Sequence, residues 1–129
     1  MLFTYKFLSS QFTDKHILRD YDGDKKEYQL SRRKKSFDVI ISDSGTYLDL
    51  WVISKTSSNA SVNTVLSKLG IVVEKGVATS IPDGYTKCTL LDGEAVVHAT
   101  YDKLFKIAEV LGIRRRVPKD TTENTSSSL

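Results

Sequence analysis

The chain reads as an α+β domain, an antiparallel sheet covered on one face by two amphipathic helices. Three observations predict it. Val62, Val65, Leu66 and Leu69, closed by Gly70-Ile71, repeat 42 positions later as Leu104, Ile107, Ala108 and Leu111, closed by Gly112-Ile113. Both sets have the i, i+3, i+4, i+7 spacing of one helical face, and each glycine suits the left-handed residue that ends a helix. Each helix follows an alternating β-hairpin, so the pattern is a ββα unit written twice.

The elements follow in order. Residues 2–8 (LFTYKFL) are aromatic-rich and predict a first strand. Ser9-Ser10 then offers capping, and Phe12, Ile17 and Leu18 predict a short helix over residues 11–19. Residues 20–24 (DYDGD) predict a turn. From Lys26 to Ser54 a three-stranded meander is expected. With Arg32, Arg33, Lys34 and Lys35 as its first loop, Leu30 faces Phe37 and Tyr28 faces Val39. With Ser44-Gly45 as a two-residue turn, Ile41 faces Leu48, Val39 faces Leu50 and Phe37 faces Val52; a three-residue turn is the alternative. These side chains share one face, whereas a slip of one would mix Asp38, Ser42 and Asp49 into it.

Residues 54–61 (SKTSSNAS) supply N-caps for the first repeated helix. Ile71-Val72-Val73 predicts a short buried strand, extended by residues 77–81, and Pro82-Asp83-Gly84 a turn. Asp92-Gly93 is a strong two-residue hairpin turn. Pairing outward from it places Leu90 opposite Ala95, Cys88 opposite Val97 and Thr86 opposite Ala99 on the core face. Tyr85, Lys87, Thr89, Leu91, Glu94, Val96 and His98 take the other face. Thr100 is the expected cap of the second repeated helix. Residues 1–113 thus read as one domain and residues 114–129 (RRRVPKDTTENTSSSL) as a basic, then Ser/Thr-rich flexible tail.

Composition sets the limits on function. A chain of 129 residues can bury a core without staples. Its single cysteine, Cys88, excludes an internal disulfide or a cysteine-rich zinc site, and fits a reducing cytoplasm. No apolar run approaches the roughly 18 residues of a membrane span. MLFTYKFLSS lacks the small-residue cleavage pattern of a signal peptide. A cytoplasmic location without a membrane partner is therefore expected.

Charge is unevenly spread. The formal net charge is +3, yet without Arg32, Arg33, Lys34, Lys35, Arg114, Arg115 and Arg116 the rest holds twelve basic and sixteen acidic residues, a net of −4. All the positive excess lies in two short runs, which points to a local anionic partner. The meander register also turns Asp38, Ile40, Ser42, Tyr47, Asp49, Trp51 and Ile53 outward. Rings on a sheet face near a cationic loop follow the logic of single-strand platforms, where bases stack and cations neutralise phosphates. The expected function is a small non-catalytic nucleic-acid-binding module, for DNA or RNA. Arg32, Arg33, Lys34, Lys35, Arg114, Arg115 and Arg116 would contact phosphates, and Tyr47 and Trp51 would stack bases.

Enzyme motifs fail on spacing. His98-Ala99-Thr100 resembles one arm of the paired His-x-Thr pattern of two-histidine phosphoesterases, but His16 is followed by Ile17-Leu18 and the second arm is missing. His98, opposite Lys87, reads as a surface residue, and Cys88 lies on the core face. Asp20, Asp22 and Asp24 suggest a calcium loop, but its glycine is misplaced and its closing position is Ser31. Phosphate-loop, dinucleotide-loop and nucleophile-elbow motifs are absent. A magnesium-dependent nuclease built on Asp38, Asp49 and Lys55 is a weaker alternative, because the position two after Asp49 is Trp51 where that chemistry needs lysine. No cofactor or metal is expected. Two other readings use the outer sheet face. One is a protein-binding regulator or inhibitor of the kind viral or mobile-element accessory factors provide. The other is a homo-oligomer with Ile40, Trp51 and Ile53 at its interface.

Overall fold

The computed structural model describes residues 2–22, 25–56 and 58–116. It is α+β, as the repeats predict. Among the described residues, eight strands and three α-helices follow the order α1 (Tyr5–Gln11), a 3-10 turn (Asp14–His16), β1 (Ile17–Asp22), β2 (Lys25–Arg33), β3 (Phe37–Asp43), β4 (Leu48–Ser54), α2 (Asn59–Lys68), β5 (Val72–Glu74), β6 (Val77–Ser80), β7 (Tyr85–Leu91), β8 (Glu94–Ala99), a second 3-10 turn (Tyr101–Lys103) and α3 (Leu104–Leu111). Six strands form one antiparallel sheet, ordered β1-β2-β3-β4-β8-β7. The two ββα units therefore share a sheet. They meet at the antiparallel β4/β8 seam, and β3-β4-β8-β7 reads alike from either side of it.

The core lies between this sheet and the helices. Leu30, Val39, Ile41, Leu48, Leu50, Val52, Ala95, Val97 and Ala99 point into it from the strands. Both repeated helical faces are buried, including Val65 and Leu66 of α2 and Ile107 and Ala108 of α3. Gly70 and Gly112 end them at φ +86° and +77°, a conformation that glycine adopts without steric cost. The Ser58 hydroxyl caps α2 by accepting the Ala60 N–H at 3.2 Å.

Several expectations are corrected. Residues 2–8 are not a strand: Thr4 caps a helix whose Leu8 is buried, and Phe3 and Leu8 hold the buried positions on either side of that cap, those of a hydrophobic staple. The Thr4 hydroxyl starts α1 by accepting the Phe7 N–H at 3.1 Å. Where a helix was expected over residues 11–19, the 3-10 turn leads into β1, whose Ile17 pairs with Leu30. Asp20–Asp22 belong to β1 instead of a turn, while Gly23 and Asp24 lie outside the described residues.

The meander keeps its faces but slips in register. β2 runs on through Arg33, so Leu30 faces Ile41 and Arg32 faces Val39; only residues 34–36 connect β2 to β3. Likewise Ile41 faces Leu50 and Asp43 faces Leu48, with a four-residue link over 44–47. Both slips are even, so every inward side chain stays inward. The Asp92-Gly93 hairpin pairs as expected from Leu91/Glu94 to Cys88/Val97. Past Lys87 a bulge puts Tyr85, not Thr86, opposite Ala99, and the Tyr85 ring enters the core. β5 and β6 form a separate two-stranded sheet instead of one buried strand, with Val72 48% and Val77 60% exposed. Thr100 does not cap α3 by accepting an N–H: its hydroxyl donates to the Gly84 carbonyl and the Asp102 carboxylate.

Candidate functional site

Two cationic segments, distant in the chain, meet at one end of the sheet. Alternation in β2 turns Arg32 to the helix side, opposite Val39, and Arg33 to the outer side, opposite Asp38. Arg32 Nη1 donates to the Gly112 carbonyl at the end of α3. Such terminal carbonyls carry the helix's negative end and favour a cation there.

From Gly112 the chain passes along the end of α1. The Thr13 N–H donates to the Arg114 carbonyl at 3.3 Å, and the Arg116 N–H to the Gln11 carbonyl at 2.8 Å. Arg115 Nη2 donates to Gln11 Oε1 at 2.9 Å, and its guanidinium lies 3.9 Å over the Phe105 ring. Arg116 Nε donates to the Ser9 carbonyl at 2.7 Å, and Nη2 is 3.8 Å from Asp14. Arg114–Arg116 are thus docked on the domain; residues 117–129, where the rest of the expected tail falls, lie outside the described residues.

The result is a pair of clefts sharing Arg32. One, of about 470 Å³, is lined by Lys15, His16, Ile17, Leu18, Ser31, Arg32 and Arg33. The other, of about 480 Å³, is bounded by Arg32, Glu109, Gly112, Ile113, Arg114 and Arg115. Lys34 and Lys35 stand at the hairpin tip, where the Lys34 N–H donates to the Phe37 carbonyl at 2.9 Å. Lys15 is not among the residues the sequence points to, and His16 enters there only as a histidine that fails to complete a His-x-Thr pair. Neither belongs to a cationic run or a helical face, and only the β1–β2 pairing brings them beside Arg32.

The aromatics lie elsewhere. Trp51 is half-buried on the outer face of β4, between Ile40 and Val96. Tyr47, in the link before β4, stacks on His98 with ring centroids 4.3 Å apart at 28°. The outward residues of β3 and β4 all keep surface in solvent. Neither ring lines the cationic clefts. Trp51 is two strands from Ser31, through the Ser31/Ile40 and Ile40/Trp51 pairs. That spacing is about 10 Å across the sheet.

The carboxylates of the nuclease alternative do not converge. Asp38 pairs with Ile53 and Asp49 with Ser42, four residues apart along the strands, or about 13 Å. A shared Mg²⁺ would need both within roughly 2.1 Å of it. Asp38 instead lies 3.3 Å from Lys55 and Asp49 3.1 Å from His98 Nε2. Among the described residues no group of three His, Cys, Asp or Glu is placed to hold a metal. Burial pushes the Cys88 thiol up, away from the reactive thiolate. No helix among the described residues is long and apolar enough to cross a membrane. Comparison with known proteins finds no family model, no curated protein and no solved structure that matches this chain.

Proposed function

We propose that the protein is a non-catalytic nucleic-acid-binding module that holds DNA or RNA by its phosphates at the cationic end of the sheet. The observation that carries this reading is the Arg32–Gly112 bond, which holds the first basic run against the end of α3, two residues before the second run, in an otherwise acidic chain. Lys15 and Arg33 widen the cluster around the Arg32 clefts. Arg33 lies on the same open face as Trp51. A strand with a phosphate at Arg33 could therefore lay a base on the indole, about 12 Å away, two strands across and two residues along. Tyr47, in the link before β4 and stacked on His98, supplies a second ring platform.

The test is binding of generic single- and double-stranded oligonucleotides over a salt series. Contacts to several phosphates require affinity to fall steeply as salt rises, with a log–log slope near −0.7 to −0.9 per phosphate. A flat response, or no binding at low salt, rejects the reading. The second reading, a protein partner on the outer sheet face, draws on a different observation: Ile40, Trp51 and Val96 run side by side there, and Leu91 is 57% exposed at its edge. Partner capture unchanged by nuclease treatment favours it, and a concentration-dependent sedimentation coefficient would favour self-association by the same face.

A further inference from the structure

His16 stands out at the cationic end. It is 4% exposed, the one buried polar or charged residue among those described. Its Nδ1 lies 3.1 Å from the Ser31 carbonyl oxygen, so Nδ1 carries the hydrogen and donates. Nε2 is then the bare nitrogen, buried and without a partner among the described residues. Two more buried atoms in the same condition sit on adjoining segments, Thr13 Oγ1 and Arg32 Nε. The Thr13 carbonyl accepts the His16 N–H at 3.0 Å, and Arg32 follows Ser31 in β2. Native folds leave few such groups unpaired. Two of the residues concerned, His16 and Arg32, line one cleft with Lys15 and Arg33. A hydroxyl and a guanidinium N–H donate, and an imidazole donates from both nitrogens once protonated. Donors among cations make a site for an oxyanion.

We propose that a backbone phosphate of the bound nucleic acid seats in this cleft, and that His16 takes a proton from solvent at Nε2 and donates it in a hydrogen bond to a phosphate oxygen. The proposal rests on the nucleic-acid reading above and adds a proton to it. The charged groups around the imidazole are Lys15 on the 3-10 turn, Arg32 and Arg33 on β2 and Arg114 beyond α3. The nearby Asp14 carboxylate is engaged by the Tyr5 hydroxyl and Arg116, and Glu109 borders the neighbouring cleft. In the free protein burial holds the imidazole below its ordinary 6.5, as do the charges on Lys15, Arg32 and Arg114, against the opposing pull of the Ser31 carbonyl. A seated phosphate offsets those charges and raises it. Affinity must then rise as pH falls, by at most about tenfold per pH unit for one proton.

The experiment follows the His16 ring by NMR between about pH 5 and 8, with and without an oligonucleotide lacking terminal phosphates, so that the ligand does not titrate. The dissociation constant is measured over the same range at fixed salt. Expected are an upward shift of the His16 midpoint on binding and affinity that weakens with pH. His16→Gln should abolish that pH dependence and His98→Gln should leave it. Because His16→Gln opens a buried site, Arg33→Gln, an exposed change, is the second variant and should shrink the His16 shift. Binding with an unmoved His16 midpoint overturns the proton-coupled seat and leaves the nucleic-acid reading standing. No binding at any pH at low salt overturns both.

Discussion

The Arg32 guanidinium donates to the Gly112 carbonyl, a bond between residues 80 positions apart. It ties the last turn of α3 to the end of β2. Gly112 occupies φ +77°, and an added Cβ there would lie 3.2 Å from Arg32 Cζ. Gly112→Ala is therefore expected to cost about 1–2 kcal/mol for the left-handed backbone and to displace Arg32. Urea unfolding should report the loss, and oligonucleotide affinity should fall with it. Gly45→Ala, at φ +103° with open space around it, should carry a backbone cost without the binding defect.

Asp43 anchors the N-terminus. Its carboxylate accepts the N–H groups of Leu2, Phe3 and Gly45 and the Tyr101 hydroxyl. Burial opposes ionisation, but these four donors outweigh it and hold the carboxyl below its ordinary 3.8. Burial and this carboxylate push the Tyr101 phenol up to about 12. A depressed carboxyl stabilises the fold fully above the unfolded value near 3.8, and that contribution is lost as pH falls through the depressed folded value. Asp43→Asn should remove this acid-linked loss from a stability–pH profile. At neutral pH it should destabilise by roughly 1.5–3 kcal/mol, the scale of a hydrogen bond to a charge.

Trp51→Ala tests the open face. The indole is half-buried on the side of β4 away from the core. Single-stranded oligonucleotide binding should weaken by about 1–3 kcal/mol, the worth of one stacked base. Binding to duplex, whose bases stay stacked on one another, should change far less. Equal losses for both would mean that the indole supports the site without holding a base.

The N-terminal helix is integral to the core, since Leu8 and Phe12 are completely buried. Leu8→Ala should destabilise by about 2–5 kcal/mol, as for other buried leucines. A loss under 1 kcal/mol in denaturant unfolding would place α1 outside the cooperative unit.

How far the fold was legible depends on the kind of signal. Two-residue alternation and helical period survive changes in loop length, so the inward faces of β3, β4, α2 and α3 were readable from residues such as Val39, Leu50, Leu66 and Ile107. Strand ends were not. Arg32 and Arg33 look like loop residues, yet Arg32 finds a carbonyl on another element and Arg33 faces Asp38 across the ladder. The Phe and Tyr content of the opening segment favours a strand, whereas the Thr4 cap flanked by Phe3 and Leu8 favours a helix start; burial of Phe3 and Leu8 decides for the latter. The basic runs were visible in composition, but their meeting was not, because it needs α3 to end beside β2. Lys15 stands outside both basic runs, and His16 reads in sequence only as a histidine without a motif.

The central claim is that the two basic runs act as one phosphate-binding surface. Its most direct test is the salt slope of oligonucleotide affinity for Arg33→Gln and Arg114→Gln, singly and together, with Lys87→Gln on the far edge strand as control. Each single change is predicted to reduce the log–log slope by about 0.7–0.9 and the pair by about twice that, with the control unchanged. Slopes that stay at the wild-type value in both cleft variants, or that fall equally with Lys87→Gln, would contradict it.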